Sequence, residues 1–472
     1  MSDNQIFTKY KQGSVKQLWN LSFPLMISAF ASLFMIFVDR CFLASYSINA
    51  LNASVNAGTL AWGFLGGAGM LTAMSEIFVA QYNGAKLYNK VSIPVWQMIW
   101  VSLAFFVVYI PIGLYIAPYI FSGSIYSPLE IEYFSYLMIF GSAYATKTAI
   151  EGFYIGRGKT KFLIYLAILG NVVNIIMDKI LIFGIPDIVP SMGIKGAAIA
   201  TCLGNFIQAV ILLFMFLSHK NRTLYNTSCI SLNLETLKKC IKVGLPQSIF
   251  FSLEFVGWSV FYFMMTSISE LHITISSICQ SIIILLFFFC DGISRGIAAL
   301  AGNFIGSKQY HLVYTIFKAS LKLLSIFSIV LMFFLIVQPL LIINYLLPKQ
   351  ALSSSLMIDS AFIDTIKTCL FFVFIYLLGE SIRWIFSGLL TAAGDTLFLL
   401  IAGACSVWIF LLLPIYFVVV KHSLSIEIAW LICCLYAVLI SLLYGIRFFQ
   451  GKWKNLNILP QDQLQESAET LE

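Results

Sequence analysis

The sequence predicts an all-α polytopic membrane protein, with twelve transmembrane helices in two six-helix bundles related by an internal repeat. Three observations carry this expectation. Of 472 residues, 60% are hydrophobic and only 10% charged, with a mean hydropathy of +0.92, whereas a soluble domain carries about 25% charged residues. Apolar runs long enough to cross a hydrocarbon core about 30 Å thick recur along the whole chain. The chain also repeats itself. A shift of 222 residues lays LSFPLMISAF (21–30) over VGLPQSIFFS (243–252), with Pro24 on Pro246, and AQYNGAK (80–86) over the segment ending GNFIGSK (302–308).

In chain order, the apolar runs place spans at 18–44, 56–80, 95–121, 131–156, 162–184, 195–218, 244–266, 273–301, 316–345, 361–390, 398–420 and 426–446. Residues 1–17 form a polar start, and the run that follows is too long for a cleaved signal, so the first helix is retained. The first six spans make one lobe (18–218). A polar connection (219–242) leads to the second lobe (243–446) and a tail (447–472). The end of that tail, PQDQLQESAETLE, is polar and acidic without aromatic residues and is expected to be mobile. A second repeat match, at a shift of 236, lays EGFYIGRGKTKFLI (151–164) over SGLLTAAGDTLFLL (387–400). Because each half has an even number of spans, both insert in the same orientation, and such pairs enclose a cavity near the bilayer midplane and rock against each other.

Lys and Arg set the orientation, because short loops rich in them stay in the cytoplasm. With both termini inside, nineteen basic residues fall on cytoplasmic segments and three, Lys195, Lys349 and Lys421, on outer loops. The formal charge of +7 then follows from membrane orientation, with no nucleic-acid partner implied. Gly158-Lys159-Thr160 ends like a phosphate-binding loop, but Phe153 stands where the leading glycine is needed and a membrane helix precedes it, so no nucleotide is implied. The ten cysteines lack CxxC spacing and read as packing thiols. No nucleophile with a plausible base stands out, so an enzyme is not expected.

Four carboxylates, Asp39, Asp178, Glu254 and Glu380, lie inside these apolar runs. An ionisable group in hydrocarbon is costly unless it faces a cavity or a partner, so these residues are expected to line a polar path. Other buried charges have local readings. Lys147 with Glu151, and Asp291 with Arg295, have i, i+4 spacing and read as helix-internal or inter-helix ties, and Glu76, near the inner end of its span, is expected to snorkel. The 42 Phe residues read as lipid-facing and packing surface.

FVDRCFLAS (37–45), AQYNGAK (80–86), GNVVNIIMDKILIFG (170–184), GIKGAAIAT (193–201), GLPQSIFFSLE (244–254) and GESIRWIFSGLLTAAGDT (379–396), in this order, resemble the multidrug and toxic compound extrusion (MATE) transporters. The resemblance runs from about 15 to 450 and has features of both the NorM-like and DinF-like branches. It implies a V-shaped fold and a secondary active exporter of hydrophobic, cationic compounds driven by inward H⁺ or Na⁺. The chain would act as a monomer in a plasma or bacterial inner membrane, with no cofactor beyond the coupling ion. It implies a cation-coupling set of Asp39, Asn174, Asp178, Thr201 and Ala197, and a substrate or second cation site at Glu254 and Glu380. Asn174 and Asp178, four apart, share a helix face. One carboxylate with an amide carbonyl and a hydroxyl suits Na⁺, whereas two carboxylates brought close share a proton.

Three bases bear on this set. Arg40 and Lys179 follow Asp39 and Asp178, but helix neighbours point about 100° apart and need not pair. Arg383 stands three residues after Glu380 and is placed to neutralise it. Two other functions fit the duplicated scaffold. One is a flippase for a lipid-linked saccharide, whose pyrophosphate would call for a basic cavity; the other is a transport-inactive membrane scaffold.

Overall fold

Helices begin where the sequence supplies caps and continue because their side chains are apolar. The computed structural model describes residues 9–341, 360–456 and 458–459. The expectations for residues 1–8, for Lys349, for the end of the ninth span and for the acidic tail from Pro460 onward lie outside the described residues. The first half comprises α1 (Val15–Tyr46), α2 (Ile48–Thr72), α3 (Ser75–Gly84), α4 (Ser92–Pro111), α5 (Ser127–Phe140), α6 (Ser142–Gly156), α7 (Lys161–Phe183) and α8 (Ile194–Phe216). After the short α9 (His219–Tyr225) come α10 (Leu234–Ile268), α11 (Glu270–Gly306), α12 (Tyr310–Met332), α13 (Ser360–Ala392), α14 (Thr396–Ser406) and α15 (Ile426–Phe449). Ser14 caps α1 by accepting from the Gln17 N–H, and Asn233 caps α10 by accepting from Thr236 at 2.8 Å.

Eleven helical stretches among the described residues are long and apolar enough to cross a membrane. The fourth expected span, 131–156, is the exception. It folds as α5 and α6, meeting at Gly141, and carries Glu132, Lys147 and Glu151, which lower its hydropathy. The connection expected over 219–242 is also more ordered than its polarity suggests. It contains α9 and the first turns of α10, and between them Trp96 donates to the Thr227 carbonyl (3.0 Å) and Gln97 to that of Ser231 (2.9 Å).

The repeat is visible in the backbone. Ser47 and Ser269 are 222 residues apart, and each is the single extended residue joining two long helices, with φ of −165° and −167°. Lys86 and Lys308 share a left-handed conformation (φ 61° and 59°), as do Gly158 and Gly394 (φ 70° and 82°). Pro24 and Pro246 sit inside α1 and α10, where each removes a backbone hydrogen bond.

Contacts between the halves concentrate at the end of the molecule that carries the start of α1 and the finish of α15. There Gln81 donates to the Ala392 carbonyl (2.8 Å), Asn83 to Asn303 (2.6 Å) and Asn303 to the Gly156 carbonyl (2.8 Å). Two repeat-related glycines permit the approach: a Cβ on Gly84 would overlap the Asn303 carbonyl, and one on Gly306 the Gln81 carbonyl. The hydrogen bond farthest from this end, Ser248 to the Gly67 carbonyl at 2.7 Å, lies about halfway along its helices. Beyond it, α1, α10 and α11 leave Phe37, Phe263 and Leu285 exposed. The two bundles are thus closed at one end and parted at the other, a V-shaped arrangement.

Replacing Gly84 by Ala is expected to lower the thermal unfolding midpoint of the purified protein, with a cost of about 1–3 kcal/mol for overpacking. Gly63→Ala, where a Cβ meets nothing within 4 Å, is the control and should leave the midpoint unchanged or slightly raised.

Candidate functional site

The first half assembles four of the expected residues on three helices. Asp39 stands on α1, Asn174 and Asp178 on α7, and Thr201 on α8, none more than 5% exposed. The i, i+4 spacing on α7 presents Asn174 and Asp178 to the same side, and α1 brings Asp39 against them. The Thr201 hydroxyl donates to one Asp39 oxygen at 3.0 Å. With its amide oriented to satisfy both ends, Asn174 donates to the other Asp39 oxygen at 2.8 Å and accepts from the Thr201 N–H at 3.3 Å. Asp39 therefore receives two donors.

Asp178 receives none. Its carboxyl faces that of Asp39, and neither of its oxygens has a hydrogen-bond partner. Two buried carboxyls facing each other are stable when a proton lies between them. A sodium ion would need further oxygens, and the Asn174 carbonyl is turned to the Thr201 backbone. Among the described residues, no group of three or more His, Cys, Asp or Glu side chains forms a metal cluster. Ala197, buried one turn before Thr201, contributes a methyl group and backbone only. Arg40 and Lys179 are exposed, and neither forms an ion pair with its neighbouring acid.

In the second half, Glu254 on α10 and Glu380 on α13 are brought together by Arg383. The guanidinium donates through Nε to both Glu380 oxygens (3.0 and 2.9 Å) and through Nη2 to Glu380 (2.6 Å) and Glu254 (2.9 Å). Glu380 is gripped through both oxygens, while Glu254 gives one and keeps 18% of its side chain accessible. One cation between two anions leaves one net negative charge.

Glu76 differs from its sequence reading, and Arg295 and Lys147 take the inter-helix alternative of theirs. Glu76 does not snorkel; it is buried on α3 and pairs across the two halves with Arg295 of α11 at 3.3 Å. Arg295 thus reaches past its own helix, and Lys147 donates to Asn205 at 3.3 Å instead of closing a turn with Glu151. Asn205 in turn donates to the Thr201 carbonyl at 3.0 Å. The sequence held a signal for the cross-half pair. Glu76 and Arg295 precede the repeat-matched Gly84 and Gly306 by eight and eleven residues, which puts them at similar depth in corresponding helices.

Comparison with known proteins agrees with this architecture. The family model MatE matches residues 24–180 and 246–417, one stretch in each half. The probable multidrug resistance protein NorM of Streptococcus pneumoniae (strain ATCC BAA-255 / R6) is 25% identical over 295 residues, covering 61% of this chain and 64% of that protein. The chain thus aligns with a little under two thirds of that relative's length. A MATE structure in complex with MaL6 superposes with a TM-score of 0.78 at 17% identity, over 99% of this chain and all of the other. An outward-facing MATE family transporter of the MOP superfamily gives 0.78 at 17% identity, over 97% of both chains.

Arg383→Met should lower stability by about 3–5 kcal/mol, because it leaves two carboxylates buried without their cation. The triple variant with Glu254→Gln and Glu380→Gln should recover most of that loss. Thermal unfolding of the three purified proteins measures both effects.

Proposed function

The chain belongs to the MatE family of multidrug efflux transporters, and from that premise we propose that it is a proton-coupled antiporter exporting hydrophobic organic cations. The observation that carries this reading is the Asp39 and Asp178 pair: two buried carboxyls in contact, one with two donors and the other with none. A proton entering from the open end occupies the pair and removes one of its two negative charges. Its release restores a buried negative charge, which either draws in a substrate cation or forces the helices apart. Thr201 and Asn174 hold Asp39 in position, and Ala197 keeps α8 close. The donor role of Asn174 favours H⁺ over Na⁺, since the amide carbonyl is not offered to an ion.

Glu254 is the carboxylate we assign to the substrate's positive group, because it combines partial access with a free oxygen. Glu380 acts through Arg383 as its positioning residue. One chain supplies both lobes, and we assign the working unit as a monomer in a cytoplasmic-type membrane with both termini inside.

Efflux of a fluorescent hydrophobic cation from cells or inverted vesicles, under an imposed proton or sodium gradient, tests this. The wild type should respond to the proton gradient, and Asp39→Asn should lose gradient-driven transport by at least about tenfold, the scale on which a coupling residue acts. Drive by sodium alone would overturn the assignment of the ion. Efflux absent under both gradients in correctly inserted protein would overturn the export reading.

A further inference from the structure

A second buried acidic cluster lies between the two halves, away from both sites above. Its centre is Glu76 of α3, paired through Oε2 with the Nε and Nη2 of Arg295 at 3.4 and 3.3 Å. Its Oε1 is buried and has no donor. Asp291 of α11 and Glu151 of α6 lie close enough to act electrostatically on both members of the pair, and Tyr144 of α6 borders Arg295. Lys147 of α6 faces the same group, but its ammonium is engaged with Asn205. Of the other elements against α3, α4 carries no Asp, Glu, Lys or Arg, and the short turn Tyr88–Lys90 carries Lys90. Three carboxylates therefore share two cations, and one of those cations donates elsewhere.

We propose that Glu76 is a second proton-binding site of the transport cycle, and that its bridge to Arg295 is the tie through which proton occupancy controls contact between the lobes. A proton suits the place and an organic cation does not, because Glu76 is only 4% exposed. Protonated, Glu76 keeps a donor of its own for Oε1 and loses its attraction for Arg295, which then turns to Asp291 on its own helix. The cross-half bond disappears at the depth where the lobes meet. From Lys147, which faces Glu151 and Arg295, hydrogen bonds lead through Asn205 and the carbonyl and hydroxyl of Thr201 to Asp39.

This inference rests on the transport reading, and its test does not require transport. Spin labels on non-natural amino acids at Lys86 and Lys318, exposed in the first and second half, report lobe separation in nanodiscs between pH 7.5 and 5.5. The wild type should gain a longer-distance population at low pH. Glu76→Gln should show it at both values, shifting the ratio of closed to parted molecules about tenfold, while Asp39→Asn should keep the pH response. If Glu76→Gln does not give monodisperse protein, Arg295→Gln is read in its place and should lose the closed population at every pH. A wild-type distance distribution at each pH in the variant read overturns the inference. Failure of efflux with the distance response intact would remove the transport reading alone.

Discussion

Among the described residues, most buried charges are held by a partner on another helix, and the architecture depends on that constraint. In hydrocarbon no water is available to solvate a carboxylate or a guanidinium, so each must find its counterpart inside the protein. Arg383 binds α10 to α13, Arg447 on α15 grips Asp395 at the start of α14 with contacts of 2.6 and 3.1 Å, and Arg295 joins the two halves. These pairs do not make the fold stable by themselves, because desolvation offsets much of their attraction. They dictate which helices stand together. Asp178 breaks the pattern by facing another acid.

Backbone proximity complements the charges. Gly152 lets α6 lie against Ser75 and Glu76, and its repeat counterpart Gly388 lets α13 lie against Ser294. Without hydrophobic driving force between helices in lipid, close approach through small residues supplies much of the association. The same glycine positions that identify the repeat in the sequence are those at which helices touch in space. Gly152 and Gly388 serve equivalent packing inside each half, whereas Gly84 and Gly306 serve it between the halves.

Much of the fold was legible because the rules behind it are local. Hydropathy marks a span whatever its neighbours are, and the shift of 222 residues located Lys86 and Lys308, which share a backbone conformation. That Asp39, Asn174, Asp178 and Thr201 stand together was legible through resemblance together with the i, i+4 spacing of Asn174 and Asp178. What escaped was the choice of partner. Spacing left Lys147 and Arg295 open to helix-internal or inter-helix ties without naming the partners, and packing supplied Asn205 and Glu76 from other helices. The break at Gly141 escaped for a related reason: a Cβ there would meet the side chain of Leu65, a contact no single-helix reading contains.

The single-residue links at Ser47 and Ser269 have a mechanical meaning. A connection of one extended residue prevents α1 from sliding along α2, or α10 along α11, by more than a fraction of a turn. Rotation of the pair as a stiff unit remains open. Each pair is a lever roughly 50 Å long, from the helical rise of 1.5 Å per residue, and its contacts lie near one end. A displacement of an ångström or so where Gly84 meets Asn303 is therefore magnified several times at the tips, so a lost hydrogen bond at one surface becomes a changed aperture at the other.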